Sequence, residues 1–185
     1  MKSLLLHICC APCAIYPFED LAKAGFKVEG FFYNPNIQPV SEYLKRKKSA
    51  EVLENVLNIR IHYGEYEENA YTESIKLTPD KPERCRNCFK LRLEQTRRFA
   101  AENKFDLFTT TLLVSPYQDQ EMIKEIGDDL SKDSPAKFLF SDFRPGFRQA
   151  HNKVRELNLY CQKYCGCLFS LEERQKEKES KKARC

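Results

Sequence analysis

Segments rich in β-branched, aromatic and leucine residues recur at 3–8, 27–33, 59–63, 105–113 and 136–140, and stretches of helical periodicity separate them. Successive strands spaced by helices join in parallel through crossovers, so this alternation confines the chain to an α/β sheet covered by helices on both faces. The expected architecture is a three-layer, Rossmann-like parallel sheet of about five strands. With 185 residues, 42% of them hydrophobic, the chain can bury one core and is short for two. The expected organisation is a single α/β domain over 1–171, a cysteine-rich insertion near 67–90 and a charged tail over 172–185.

The helical stretches carry their own signals. Over 41–57, Leu44, Val52, Leu53, Val56 and Leu57 fall near one face with Ser41 as the expected cap, while Lys45, Arg46, Lys47 and Lys48 make a charged shoulder. A second helix follows Cys88 through Phe89, Leu93, Thr96 and Phe99. A third carries Met122, Ile123, Ile126 and Leu130, and a fourth runs from Phe147 through Val154 to Leu157, with Ser141 or Asp142 upstream as a cap.

Eight of the nine cysteines lie in three tight groups, Cys9/Cys10/Cys13, Cys85/Cys88 and Cys161/Cys165/Cys167, and Cys185 stands alone. Nothing in the opening residues reads as a secretory signal and no apolar run approaches the length that crosses a bilayer, so a cytoplasmic protein with free thiols is expected. Grouped thiols there act as metal ligands or redox pairs. Cys9 and Cys10 end the first strand, where open α/β sheets collect ligands. Cys13 is placed in the following loop, and the loop lacks the glycines of a nucleotide cradle. Cys85-Arg86-Asn87-Cys88 is placed just before a helix, whose free N–H groups stabilise thiolate.

Cys9, Cys10, Cys85 and Cys88 would complete the four thiolates of an iron–sulfur cube, and equally those of a tetrahedral zinc site. Cys10-Ala11-Pro12-Cys13 also has the form of a metal-free thiol–disulfide oxidoreductase. In Cys165-Gly166-Cys167 the glycine permits a tight turn, compatible with a redox-active disulfide, with a metal ligand, or with free buried thiols. Cys161 and Cys185 read as incidental.

Taken together, His7-Ile8-Cys9-Cys10-Ala11-Pro12-Cys13, Glu83-Arg84-Cys85-Arg86-Asn87-Cys88, Ser115-Pro116, Asp142-Phe143-Arg144 and Tyr164-Cys165-Gly166-Cys167-Leu168-Phe169-Ser170 resemble the epoxyqueuosine reductase QueH family across nearly the whole chain. The resemblance implies a HUP-type fold and a cobalamin-independent enzyme that removes the epoxide oxygen of epoxyqueuosine in tRNA to give queuosine, with an external electron donor. It implies a [4Fe–4S] cluster on Cys9, Cys10, Cys85 and Cys88, a redox disulfide of Cys165 with Cys167, and an additional iron ion. This chain departs from the family pattern at Cys161, where a basic residue is usual, and at Pro145, within a stretch that is often lysine-rich.

Turning an epoxide into an alkene takes two electrons and two protons and releases water. For the additional iron the candidate ligands are Cys13 and Asp142, chosen ahead of Asp20 and Asp119. His7 and Tyr117 are the candidate proton donors, although a lone strand histidine is more often a satisfied core residue. The net charge of +4, from 31 basic and 27 acidic residues, leaves any RNA-binding surface local. Arg84, Arg86, Arg144 and Arg148 head the phosphate candidates, beside Lys45 to Lys48, Arg92, Arg97 and Arg98. Tyr33, Tyr117 or Phe143 could stack on the base. A zinc-stapled nucleic-acid-binding module is the alternative to an enzyme.

Overall fold

The alternation read from the sequence becomes strand and crossover in order. The computed structural model describes residues 1–182, so Cys185 and the last three residues of the expected tail lie outside the described residues. The strands are β1 (Ser3–His7), β2 (Lys27–Phe32), β3 (Ile61–Tyr63), β4 (Leu107–Thr110) and β5 (Lys137–Phe138), and the helices are α1 (Ala11–Lys23), α2 (Val40–Leu57), α3 (Glu68–Ile75), α4 (Glu83–Glu102), α5 (Gln120–Ser131), α6 (Phe147–Glu156) and α7 (Leu168–Lys182). All five strands pair in parallel in the order β3-β2-β1-β4-β5.

This order reverses direction at β1. Right-handed crossovers therefore place α1 and α2 on one face and α4 and α5 on the other, and they leave a crevice at the carboxyl ends of β1 and β4. The central strand is buried on both faces, which is why Leu4, Leu5 and Leu6 are all fully apolar and fully inaccessible. Leu4, Leu6 and Ile8 join one apolar cluster, while Leu5 packs with Phe31, Ala100 and Phe108 in another.

Three local readings change. The segment after Cys10 is helix, because Ala11-Pro12 occupies the first turn, where proline lacks no needed N–H, and Cys10 is the cap residue. Cys85-Arg86-Asn87-Cys88 likewise lies inside the first turns of α4, which begins at Glu83. In α2 the buried side is only partly the one expected from its apolar residues, with Leu53 buried and Leu57 packed against the core. Glu42, Tyr43, Arg46, Ser49, Ala50 and Leu53 face inward, whereas Val40, Leu44, Val52 and Val56 are exposed. Pro39 rather than Ser41 precedes the first turn. An ion pair inside the protein has displaced the aliphatic stripe, and its purpose becomes visible at the cysteines.

Candidate metal centre

The crevice holds the first cysteine group. Beyond the end of β1, the Cys9 N–H donates to the Thr111 hydroxyl at 3.0 Å, which anchors the loop to the residue that follows β4. The same hydroxyl donates to Cys9 Sγ at 3.1 Å. Cys10 caps α1 and Cys13 sits in its first turn, so the turn folds the three sulfurs to within 4.8 Å of one another. Cys9 Sγ and Cys10 Sγ are 3.7 Å apart, and Gln162 Nε2 donates to Cys10 Sγ at 2.8 Å.

Such contact allows one charge among three thiols. Hydrogen bonds from Cys10, then Cys13, and from Thr111 hold the Cys9 thiol well below its ordinary range. Burial pushes the Cys10 thiol up, and Cys13 is pushed up chiefly by its sulfur contacts to Cys10 and Cys9. Metal binding would displace the thiol protons, as soft-metal binding by thiols requires.

The other groups face the same space. A cavity of about 490 Å³ is lined by Cys9, Cys13, Cys85, Cys88, Cys165 and Cys167 among others. Cys85 and Cys88 are three residues apart on α4 and so project from one side of the helix, one turn above the other. Burial pushes Cys88 up to about 12, against the lowering effect of Arg92.

Cys165 and Cys167 occupy the bend before α7 as free thiols, Cys165 exposed and Cys167 packed with Tyr71, Ile75 and Cys88. Arg46 holds that bend. Its guanidinium donates to the carbonyls of Cys165 at 2.9 Å and Tyr164 at 3.0 Å, and through Nε to Glu42 at 2.8 Å. Gly166 is required by close approach, since a Cβ there would stand 2.6 Å from Asn36 Nδ2.

The residues suit a thiolate-ligated, anionic group on two counts. The donors are sulfurs, which select soft metals and iron–sulfur clusters. And Arg92, 1% exposed, has no carboxylate partner among the described residues; its Nη2 is unpartnered and its Nε reaches the Cys88 carbonyl at 3.3 Å. An uncompensated buried cation costs several kcal/mol in a folded protein unless an anion sits beside it. A cube needs one thiolate per iron, so its ligands stand further apart than those of a single ion. The tight Cys9/Cys10/Cys13 trio has the spacing of ligands to one ion, and Cys85 and Cys88 extend the donor set along the cavity wall.

Other expected site residues are placed differently. His7 is fully buried. Its Nε2–H donates to the Tyr33 carbonyl at 3.1 Å and its Nδ1 accepts from the Thr110 hydroxyl at 2.8 Å, so it is a satisfied core residue rather than a proton donor to the cavity. Burial, aided by Arg92, lowers its pKa from 6.5 to about 4. Between those values the unfolded chain binds a proton that the folded protein refuses. The metal-free protein should therefore lose about 3 kcal/mol of stability as pH falls from 6.5 to about 4. Urea unfolding across that range checks it, with His7→Gln flattening the slope.

Asp142 is exposed and its carboxylate is engaged by Arg144 at 2.6 and 2.8 Å; Asp119 caps α5 by accepting from the Met122 N–H at 3.0 Å. Neither lines the cavity, and Cys13 meets Cys9 and Cys10 instead. Tyr117 does line it, 83% exposed at the mouth with its ring edge-on to Phe147. Phe143 is fully buried.

Of the four arginines expected to meet phosphate, three have internal partners. Arg84 is buried against Glu173 at 2.6 Å, with its guanidinium over Phe169; Arg86 pairs with Glu125 at 3.2 Å and Arg144 with Asp142. Arg148 on α6 has no ion pair among the described residues. Arg46 and Arg92, expected from the sequence to meet phosphate, are buried instead, at 2% and 1% exposed, while nothing in the sequence singled out Thr111 or Gln162; the one available signal was Arg92 standing four residues after Cys88, one turn along the same helix face.

Known proteins resemble this one throughout. A family model described as QueH, Epoxyqueuosine reductase QueH, matches residues 4–173. The epoxyqueuosine reductase QueH of Thermotoga maritima is 37% identical over 185 residues, covering 96% of this chain and 94% of the relative, and that of Dehalococcoides mccartyi is 35% identical over 177 residues, covering 92% and 93%. Among solved structures, the U34-tRNA thiolase NcsA from Methanococcus maripaludis with its [4Fe-4S] cluster superposes with a TM-score of 0.61 at 16% identity, covering 97% of this chain and 66% of the thiolase, a likeness of fold alone.

Proposed function

The chain belongs to the epoxyqueuosine reductase QueH family, and from that premise we propose that the cavity at the β1/β4 crevice is where epoxyqueuosine of tRNA is reduced to queuosine over an iron–sulfur group. The observation that carries the reading is that members of all three cysteine groups line one cavity, with the buried Arg92 one helical turn from Cys88 and no carboxylate beside it among the described residues. The ligands proposed for a [4Fe–4S] cluster are Cys9, Cys10, Cys85 and Cys88, with the Cys9 and Cys10 sulfurs parting from their 3.7 Å contact to reach two irons and Cys13 available to an additional iron. Asp142 is left out, because it would first have to release Arg144. A thiolase of the same fold carries such a cluster, which agrees with this assignment. When bound, the cluster supplies single electrons, taken from an external donor.

The chain's own residues supply the rest. A cavity of about 490 Å³ has the volume of a small-molecule site, so an extruded nucleoside fits it in size. Tyr117 and Phe147 offer aromatic edges and faces at its mouth for a base. Tyr71 lines the cavity with a buried hydroxyl that burial keeps protonated, so it can donate a hydrogen bond to the epoxide oxygen. Cys165 and Cys167, beside Cys88, could cycle between dithiol and disulfide as the second redox element. A tRNA substrate implies the cytoplasm, and no helix is long and apolar enough to cross a membrane.

Anaerobically prepared protein, given a chemical reductant and tRNA bearing epoxyqueuosine, should yield queuosine by nucleoside mass spectrometry. Recovery of unreacted epoxide from an iron-loaded protein counts against the reading. For tRNA docking, Lys163 lines the cavity, and Arg148 and Arg155 lie on α6 near the lining residues Phe147 and His151; all three are exposed and have no ion pair among the described residues. Replacing all three by alanine should weaken binding and make the slope of log K against log salt shallower by about two. The pair Arg86→Ala and Arg144→Ala, which removes cations already neutralised, should leave that slope unchanged.

A further inference from the structure

We propose that Arg92 is the fixed counter-charge of the cysteine centre, a positioning residue whose guanidinium raises the reduction potential of the iron–sulfur group; this rests on the cluster reading above. Three arginines are buried among the described residues. Arg46 faces Glu42 and Arg84 faces Glu173, each with a carboxylate within 2.8 Å. Arg92 has none. It follows Cys88 by four residues, so helix geometry sets it one turn behind that thiol on the same side of α4.

The side chain is locked in place. Nε donates to the Cys88 carbonyl at 3.3 Å, the guanidinium carbon lies 5.8 Å from the centre of the Phe89 ring, and Nη2 is buried without a partner. Its charge acts on Cys88, on Cys165 and on Cys9, one sulfur from each of the three cysteine groups. A lone charge buried one helical turn from Cys88 is weakly screened, so it acts strongly on charge gained beside that thiol. Reduction of a cluster adds one negative charge. The cation therefore stabilises the reduced state more than the oxidised state, which raises the potential.

The test uses the full chain with its reconstituted cluster and two variants, Arg92→Gln, which keeps a hydrogen bond to the Cys88 carbonyl without charge, and Arg92→Lys, which keeps the charge without the fork. Midpoint potentials come from EPR-monitored titration, with iron and sulfide measured per chain. At the wild-type midpoint, Arg92→Gln should lower the ratio of reduced to oxidised cluster by about tenfold, 59 mV for a one-electron couple, and Arg92→Lys should stay near wild type. An Arg92→Gln protein that folds but loads no cluster, beside a loaded Arg92→Lys, supports the same need for charge. An unchanged midpoint in Arg92→Gln, an equal fall in Arg92→Lys, or an Arg92→Lys protein that loads no cluster overturns the proposal. If the wild type itself loads no iron and sulfide, the cluster reading fails before Arg92 is reached.

Discussion

Replacing Cys85 and Cys88 together by serine should leave a folded protein that loads no stable cluster and reduces epoxyqueuosine at background, a loss of at least about 10³-fold. Both thiols line the cavity from one side of α4, and neither carries a hydrogen bond on which the helix depends. Cys88 is packed beside Tyr71 and Cys167, so the serines should cost only about 1–2 kcal/mol of stability. Iron and sulfide content, thermal unfolding and product formation, measured on the same preparation, separate a lost ligand set from a lost fold. Activity within a few-fold of wild type would remove α4 from the electron route.

The second large effect is expected at Arg46. It is 2% exposed, its Nε meets Glu42 at 2.8 Å, and its two terminal nitrogens hold the carbonyls of Tyr164 and Cys165. Arg46→Met removes the cation and leaves Glu42 buried with only the Tyr160 hydroxyl, at 2.6 Å, to satisfy it. Breaking a buried pair from one side costs about 3–5 kcal/mol. The bend carrying Cys165 and Cys167 also loses two of its anchors, so both thiols should react faster with a maleimide in the metal-free protein. Denaturant unfolding and mass-spectrometric labelling check the two halves. The double variant Arg46→Met, Glu42→Gln should recover part of the stability without restoring the protection of the thiols.

The fold was largely legible because the signal was topological. Five apolar segments spaced by crossover-length stretches admit few arrangements, and the strands begin within two residues of where the pattern put them. The convergence of the cysteines followed from the same logic, since the end of β1 lies at the crevice of a sheet that reverses there. Side-chain partners were not legible. Arg84, Arg86 and Arg144 read as free cations until Glu173, Glu125 and Asp142 were seen beside them, contacts set by tertiary packing.

The inward face of α2 was misread for a related reason. Periodicity assigns the core side to Leu44, Val52, Leu53, Val56 and Leu57; Leu53 and Leu57 do meet the core, but the helix leaves Leu44, Val52 and Val56 exposed and turns Glu42 and Arg46 inward to hold a bend more than a hundred residues away. His7 shows the opposite case, in which a residue beside the first cysteine group is bound on both ring nitrogens and takes no part in the cavity. Cys10-Ala11-Pro12-Cys13 does head a helix, as thiol oxidoreductase motifs do. What separates it from them is Cys9, whose sulfur lies 3.7 Å from that of Cys10 and turns a pair into a trio.

The most direct measurement is a crystal structure of anaerobically prepared protein with anomalous data collected on both sides of the iron edge. The account requires an iron–sulfide cube bonded to Cys9, Cys10, Cys85 and Cys88, with the Arg92 guanidinium behind it. Zinc at those sulfurs, or iron held by the Cys9/Cys10/Cys13 trio with Cys85 and Cys88 out of bonding reach, would contradict it.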